Sequence, residues 1–172
     1  PAPWLARLRA MAECLDLLAG PARLLPFLGD DDGGRFFHPY GSRPNFCRAT
    51  LATCARLFPD AGLRFDPDDL AEQAAWWLGA PALSQCAATP APRSSRFLPS
   101  AGLAVMTSGG LQVLVDAGPF GDGNAGHSHA DTLSLTARRG AQEILIDPGT
   151  FTYVADARWR GWFRGTAAHN TV

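Results

Sequence analysis

Hydrophobic residues in the first half of the chain recur every three or four positions, which is the spacing of one face of an α-helix. Residues 3–20 begin this pattern, and Gly20 followed by Pro21 ends it. The apolar stripe of this segment consists of Trp4, Leu8, Met11, Leu15 and Leu18. We therefore predict an amphipathic helix at the start of the chain.

Two further segments, residues 44–59 and 66–79, have the same helical pattern. We expect Asn45 to cap the second helix and Asp66 to cap the third, because short side chains that accept a bond from a backbone amide are favoured there. The expected ends of these helices are Pro59 and Gly79. The sequence thus predicts a helical domain over residues 1–88.

Beyond a linker at residues 89–98, which is rich in Ala, Pro and Ser, the hydrophobic pattern changes to a period of two. This alternation predicts β-strands. Two hairpins are expected, one turning at residues 108–110 and one near Gly140. Successive hairpins predict an antiparallel sheet, part of a sandwich over residues 99–172, so the expected fold class is α+β.

Composition excludes several classes of protein. The chain has 172 residues, 47% of them hydrophobic and 18% charged, with a net charge of −1, as in a folded domain without a strong attraction to nucleic acid or membranes. None of the four cysteines forms a CxxC pair, so a zinc finger is not predicted, and nothing in their spacing supports a disulfide. Because residue 1 is not Met, we expect a segment of a longer protein.

The stretch GHSHADTLSL at residues 126–135 carries the most distinctive chemistry. If it forms a strand, then His127, His129 and Asp131 share one face. Three such groups can bind a metal, transfer protons or lie on a solvated edge. The residues alone leave these alternatives open.

Two later residues extend this candidate site. Asp147 precedes a Pro-Gly turn, where an aspartate commonly bonds its own backbone, and His169 lies near the end of the chain. Two histidines and one aspartate are also a standard ligand set for zinc, with a fourth position left for water. A histidine is equally suited to proton transfer, because its unperturbed pKa lies near neutrality.

Several motifs of the chain, taken together and in order, resemble the heparinase II/III-like polysaccharide lyases, which include oligoalginate lyases. The motifs are GDDDGGR, GLAVMTSGGLQVLVDAGPFG, GHSHAD, DPGTFTY, DARWRGWFRGT and HNT. The resemblance implies the end of an (α/α) toroid followed by an antiparallel β-sandwich, with the active site in the cleft between them.

The same resemblance assigns roles to residues. It implies that His129, Asp147 and His169 bind zinc and that His127 belongs to the catalytic set. It further implies β-elimination on an acidic polysaccharide such as heparin, heparan sulfate or alginate, and a periplasmic or secreted parent protein. The family's catalytic Tyr is expected before Pro1, so the segment alone need not be active.

The remaining candidates are basic or acidic. Arg158, Arg160 and Arg164 lie beside tryptophans, a combination that suits stacking and pairing with anionic sugars or, alternatively, a structural turn with surface arginines. The acidic loop with Asp30 is expected to have a structural role, in helix capping or an internal ion pair with Arg35. The loop residues His38 and Tyr40 are expected to line the cleft or pack.

Two other classes of function remain open. A cupin-like metal oxygenase also uses an HxH strand, but it usually has a Glu shortly afterwards, where this chain has Asp131. A non-catalytic carbohydrate-binding or structural module is the second alternative.

Overall fold

The computed structural model describes residues 2–31, 34, 40–66, 70–84, 92, 94–121 and 123–172, which divide between two compact units. The helical unit comprises Pro1–Leu25 and Arg35–Arg93, and the sheet unit comprises Pro26–Gly34 and Ser94–Val172. The segment 26–34 is therefore part of the sheet unit, although it precedes two of the three long helices in sequence.

The helical unit contains the three helices that the hydrophobic pattern predicts. They are α1 (Pro3–Ala19), α2 (Arg43–Leu57) and α3 (Ala71–Leu78), accompanied by short 3₁₀ helices at Pro59–Ala61 and Ala80–Ser84. Gly79 ends α3 as predicted, and Gly20 ends α1.

The buried side of α1 differs from the apolar stripe. Trp4 and Met11 are 64% and 68% exposed, whereas Ala12 and Ala19 are buried. Ala12 packs in a cluster with Ala55, Ala61 and Leu63, and Ala19 packs with Cys47 and Leu51. The buried face of α1 also includes Asp16 and Leu17, so it is rotated away from the predicted apolar stripe.

Both predicted N-caps are wrong. Ser42 caps α2, because its side-chain oxygen accepts a hydrogen bond from the backbone N–H of Asn45 at 3.4 Å. This cap leaves Pro44 in the first turn, where its missing N–H costs nothing. The third helix begins at Ala71 after Leu70, whose φ of 49° is left-handed, so Asp66 lies outside the helix.

The sheet unit contains one five-stranded antiparallel sheet in sequential order. Its strands are β1 (Arg96–Leu98), β2 (Leu103–Ser108), β3 (Leu111–Asp116), β4 (Ser134–Arg139) and β5 (Gln142–Leu145). Both predicted hairpins are confirmed. Gly109 and Gly110 form the first turn with φ of 52° and 80°, values that glycine adopts without strain.

The prediction that residues 126–135 form a strand throughout is wrong. β4 begins only at Ser134, and the preceding residues form a loop after β3. Ala125 and Leu133 have positive φ values of 50° and 64°, which turn the backbone away from an extended path. His127, His129 and Asp131 therefore do not share a face through strand alternation.

A fourth helix, α4 (Ala157–Arg164), was not predicted. Asp156 caps it, because one carboxylate oxygen accepts hydrogen bonds from the backbone N–H groups of Arg158 and Trp159 at 2.9 and 3.1 Å. A 3₁₀ turn at Thr166–Ala168 follows and leads to His169. The arginine- and tryptophan-rich motif is thus helical rather than an irregular turn.

The described cysteines Cys14, Cys47 and Cys54 are free thiols, and Cys86 lies outside the described residues. Within the described part of the chain, none of the helices combines the length and apolarity needed to span a bilayer.

A buried carboxylate secures the helical unit. Asp16 is fully buried on α1, and its side chain accepts hydrogen bonds from the backbone N–H and the Nε of Arg64 at 3.2 and 3.1 Å. Arg64 also donates to the Asp16 carbonyl at 2.6 Å. An ionic group removed from water stays stable only when it is paired in this way.

We predict that Asp16→Ala lowers the free energy of unfolding by about 3 kcal/mol, because Arg64 loses its partner in a buried position. The measurement is urea denaturation followed by far-ultraviolet circular dichroism. Asp60→Ala is the matched control, since Asp60 pairs with Arg9 at an exposed position and should change stability little. Equal effects of the two substitutions would contradict the prediction.

Candidate functional site

The loop that carries the two histidines is fastened to α4. Arg164, at the end of α4, donates to the Ser128 carbonyl from Nη2 and Nε at 2.8 and 3.2 Å, and to the Ala125 carbonyl at 3.3 Å. In return the Ala130 N–H donates to the Arg164 carbonyl at 2.8 Å. These bonds hold the histidine loop in a defined path although it has no strand partner.

Four side chains meet beside this loop. His129, Asp131, Asp147 and His169 each offer a ligand atom, and these atoms lie within 4.8 Å of one another. His169 Nδ1 is 3.1 Å from Asp147 Oδ2, and the rings of His129 and His169 are 5.2 Å apart. The structure therefore brings together the three residues that the resemblance names as ligands, and adds Asp131.

Asp147 bonds the backbone of its own turn with one carboxylate oxygen and faces the histidine cluster with the other. Its Oδ1 accepts a hydrogen bond from the Gly149 N–H at 2.8 Å, which forms the Pro-Gly turn. Its Oδ2 faces His169 instead. The turn thus orients one oxygen of the carboxylate toward the cluster.

Asn170, which sequence reasoning did not single out, places His169. Its side-chain amide donates to the carbonyls of Leu135 and Ile146 at 3.2 and 2.7 Å, and its own carbonyl accepts from the Leu135 N–H at 3.0 Å. The residue after His169 is therefore bonded to β4 and to the chain just after β5. In the sequence, the motif HNT, which contains Asn170, was the signal that could have identified this residue.

Two nitrogens of the cluster are buried without a hydrogen-bond partner among the described residues. They are Nδ1 of His129 and Nε2 of His169, and both side chains are at most 1% exposed. A buried polar atom left unpaired costs about 1–3 kcal/mol. A metal ion would satisfy both nitrogens, and two imidazoles with one or two carboxylates suit zinc. The residues present therefore fit such an ion.

The acidic groups of the region act on one another. Burial raises the pKa of Asp116, the negative charges of Asp131 and Asp147 raise it further, and the Gly118 N–H lowers it.

His127 is placed differently from His129. Its side chain is 75% exposed, and its Nδ1 lies 3.5 Å from Asp30 Oδ2. It lines an open pocket of about 530 Å³, part of it solvent, together with Gly29, Asp116, His129 and Asp131. His127 is accessible to a ligand in this pocket, whereas the His129 side chain is fully buried.

Asp30 contacts side chains from several segments of the region. Its fully buried carboxylate forms a two-pronged ion pair with Arg160 and contacts His129 Nε2 at 2.9 Å and Thr150 Oγ1 at 3.5 Å. Burial raises the pKa of Asp30, but the bonds from Arg160 and His129 outweigh it and hold the pKa well below its usual range. The expected internal ion pair exists with Arg160, while Arg35 lies outside the described residues.

The three candidate sugar-binding arginines have different surroundings. Arg158 is exposed, Arg164 bonds the histidine loop, and Arg160 pairs with Asp30 while its guanidinium stacks 4.6 Å from the Tyr153 ring. In the helical unit, Tyr40 donates to Glu72 at 2.8 Å and accepts from the Gln73 N–H, and His38 lies outside the described residues.

An aromatic cluster covers one side of α4. Its rings lie 5.0–6.3 Å apart and belong to Phe151, Trp159, Trp162 and Phe163. Phe151, Trp159 and Trp162 remain 68%, 44% and 54% exposed.

Comparisons with known proteins identify similar families and folds. The family model described as heparinase II/III-like, C-terminal, matches residues 90–172. A comparison with curated proteins gives no significant match.

Solved structures with the same fold are heparinases. Heparan sulfate lyase HepC from Pedobacter heparinus is 22% identical with a TM-score of 0.66, over 98% of this chain and 24% of that one. A structure titled heparinase III is 19% identical with a TM-score of 0.65, over 99% of this chain and 26% of the other. The chain thus spans about a quarter of the length of these proteins.

This fold similarity confirms the predicted fold class, and the family match agrees with the motifs of the C-terminal third. The resemblance to the heparinase II/III-like family is thus confirmed over residues 90–172, which match the model of its C-terminal domain.

Proposed function

We propose that the chain is the segment of a polysaccharide lyase that completes its active site, cleaving a uronic-acid-containing polysaccharide by β-elimination. The observation that carries this proposal is the buried cluster of His129, Asp147 and His169 next to the accessible His127. Its occurrence within the family-matched residues 90–172 favours a lyase over a cupin-like oxygenase. A heparin-, heparan sulfate- or alginate-like polymer is the proposed substrate.

The reaction requires three groups. A base removes the C5 proton, a positive or hydrogen-bonding group neutralises the adjacent carboxylate, and an acid protonates the departing O4. We assign His127 one of two tasks, to take the C5 proton or to help neutralise the adjacent carboxylate of the substrate. The reason is that its side chain is exposed to the pocket and its Nδ1 faces Asp30. The complementary acid or base is expected in a part of the protein that precedes residue 1.

We propose zinc as the cofactor, held by His129, Asp147 and His169, with Asp131 or water in the fourth position. When bound, the ion supplies positive charge that holds the histidine loop and the Pro-Gly turn together. The protein side chains then keep His127 in place beside it.

We further propose that the parent protein is periplasmic or secreted, as acidic polysaccharides occur outside cells. Its domain division along the sequence is proposed as helices over residues 1–88, a linker at 89–98 and a β-sandwich from 99 onward, although the segment Pro26–Gly34 is part of the sheet unit.

The metal assignment predicts that the purified full-length protein contains zinc and that His169→Ala loses it, because a buried ligand is removed. Inductively coupled plasma mass spectrometry measures the content. His127→Ala is the control and should retain zinc, since its side chain is largely exposed. Zinc content that is unchanged in His169→Ala would refute the proposed ligand set.

The catalytic assignment predicts that His127→Ala in the full-length enzyme reduces turnover by at least about 100-fold, as expected for loss of a general acid or base. The assay follows absorbance of 4,5-unsaturated uronate on heparin, heparan sulfate, hyaluronan and alginate. Wild-type protein that forms no such product on any of them favours a non-catalytic module. Full activity of the His127 variant removes this residue from the mechanism.

We predict that two arginines of α4 have different roles, Arg158 in binding the substrate and Arg160 in stabilising the protein. Arg158→Ala should raise KM for an anionic polysaccharide at unchanged melting temperature, because Arg158 is exposed beside the aromatic cluster. Arg160→Ala should instead destabilise the protein by about 3 kcal/mol, because the buried Asp30 carboxylate loses the guanidinium that pairs with both of its oxygens. Thermal melts and steady-state kinetics distinguish the two, and a destabilised Arg158→Ala with normal KM would contradict the assignment.

A further inference from the structure

Asp30 reaches the candidate site from a remote part of the sequence. It lies 99 residues before His129 and 130 residues before Arg160. The carboxylate is fully buried and contacts both histidines of the HxH motif, His129 at 2.9 Å and His127 at 3.5 Å.

The contact between Asp30 and His129 determines which ring nitrogen of His129 is available to bind a metal. Nε2 is hydrogen-bonded to Asp30, whereas Nδ1 is buried without a partner among the described residues. Because a carboxylate accepts but cannot donate, the proton of a neutral His129 belongs on Nε2, and Nδ1 carries the lone pair. A histidine that binds a metal typically donates its other nitrogen to such a carboxylate.

Arg160 keeps Asp30 in position. Its guanidinium binds both oxygens of the carboxylate and stacks on the Tyr153 ring, so the acceptor has little freedom to rotate away from His129. Thr150 adds a contact at 3.5 Å, and its hydroxyl also accepts a hydrogen bond from the Asp31 N–H at 2.8 Å.

The backbone at Gly29 and Asp30 is fixed against the same loop. The Asp30 N–H donates to the His127 carbonyl at 3.1 Å. At Gly29, φ is +60° and an added Cβ would lie 2.8 Å from that carbonyl oxygen. Only glycine fits this approach without displacing the chain, so the local sequence favours a close and defined placement of Asp30.

We propose that Asp30 is a positioning residue that presents Nδ1 of His129 to the metal and keeps His127 beside the ion. The role rests on the proposed zinc site. Asp30 does not touch the ion and acts through the two histidines. Its removal therefore affects metal affinity as well as turnover.

The first test is zinc affinity of the full-length protein, measured by competition with a chromophoric chelator. Asp30→Asn keeps the shape of the side chain and should weaken zinc binding by about 10- to 100-fold, as for other carboxylates that hold a ligating histidine. Asp60→Asn, which removes an equal charge from the exposed pair with Arg9, should leave the affinity unchanged. Circular dichroism verifies that both variants are folded.

The second test needs no variant. A crystal structure of the zinc-loaded wild-type protein, with anomalous data at the zinc edge, should show Nδ1 of His129 on the ion and Nε2 on Asp30. Zinc bound through Nε2, or unchanged affinity in a folded Asp30→Asn, overturns the positioning role alone. A wild-type protein that binds no zinc overturns the metal proposal on which the role rests.

Discussion

The ion pair between Asp30 and Arg160 is the interaction around which the candidate site is built. A carboxylate taken out of water is tolerated only with a partner and further hydrogen bonds, and Asp30 obtains them from Arg160, His129 and Thr150. These residues belong to α4, to the histidine loop and to the chain after β5. The electrostatic requirement of one buried group therefore brings three separate segments together.

The sequence predicted the regular elements better than the site that they support. Three helices and two hairpins follow from hydrophobic period and glycine positions, which are local signals. The alternation of polar and apolar residues continues from the HxH segment into β4, and it therefore predicted a strand there. Leu133 instead adopts a positive φ, which no sequence pattern indicated. α4 was missed because its apolar residues are aromatic and partly exposed.

The resemblance named three of the four residues in the candidate cluster, His129, Asp147 and His169, while their environments came only from the structure. His127 and His129 have the same chemistry and lie two positions apart, yet one is 75% exposed and the other is fully buried. The spacing of the two histidines in the sequence does not predict this difference in exposure, because the burial of His129 comes from tertiary contacts. Asp30 was expected to be structural, and its nearest candidate partner by sequence was Arg35. The actual partner lies 130 residues away, beyond the reach of any local pattern.

That separation also has a consequence for how the protein is made. Ribosomes add about 5–20 residues per second, so Asp30 is synthesised roughly ten seconds before Arg160 exists. Until then the segment 26–34 has no counter-ion for its carboxylate and stays hydrated. Contacts of such long sequence separation form slowly, since their loop-closure entropy is lost before they stabilise anything. The histidine loop is thus expected to become ordered among the last parts of this chain, after the hairpins that flank it.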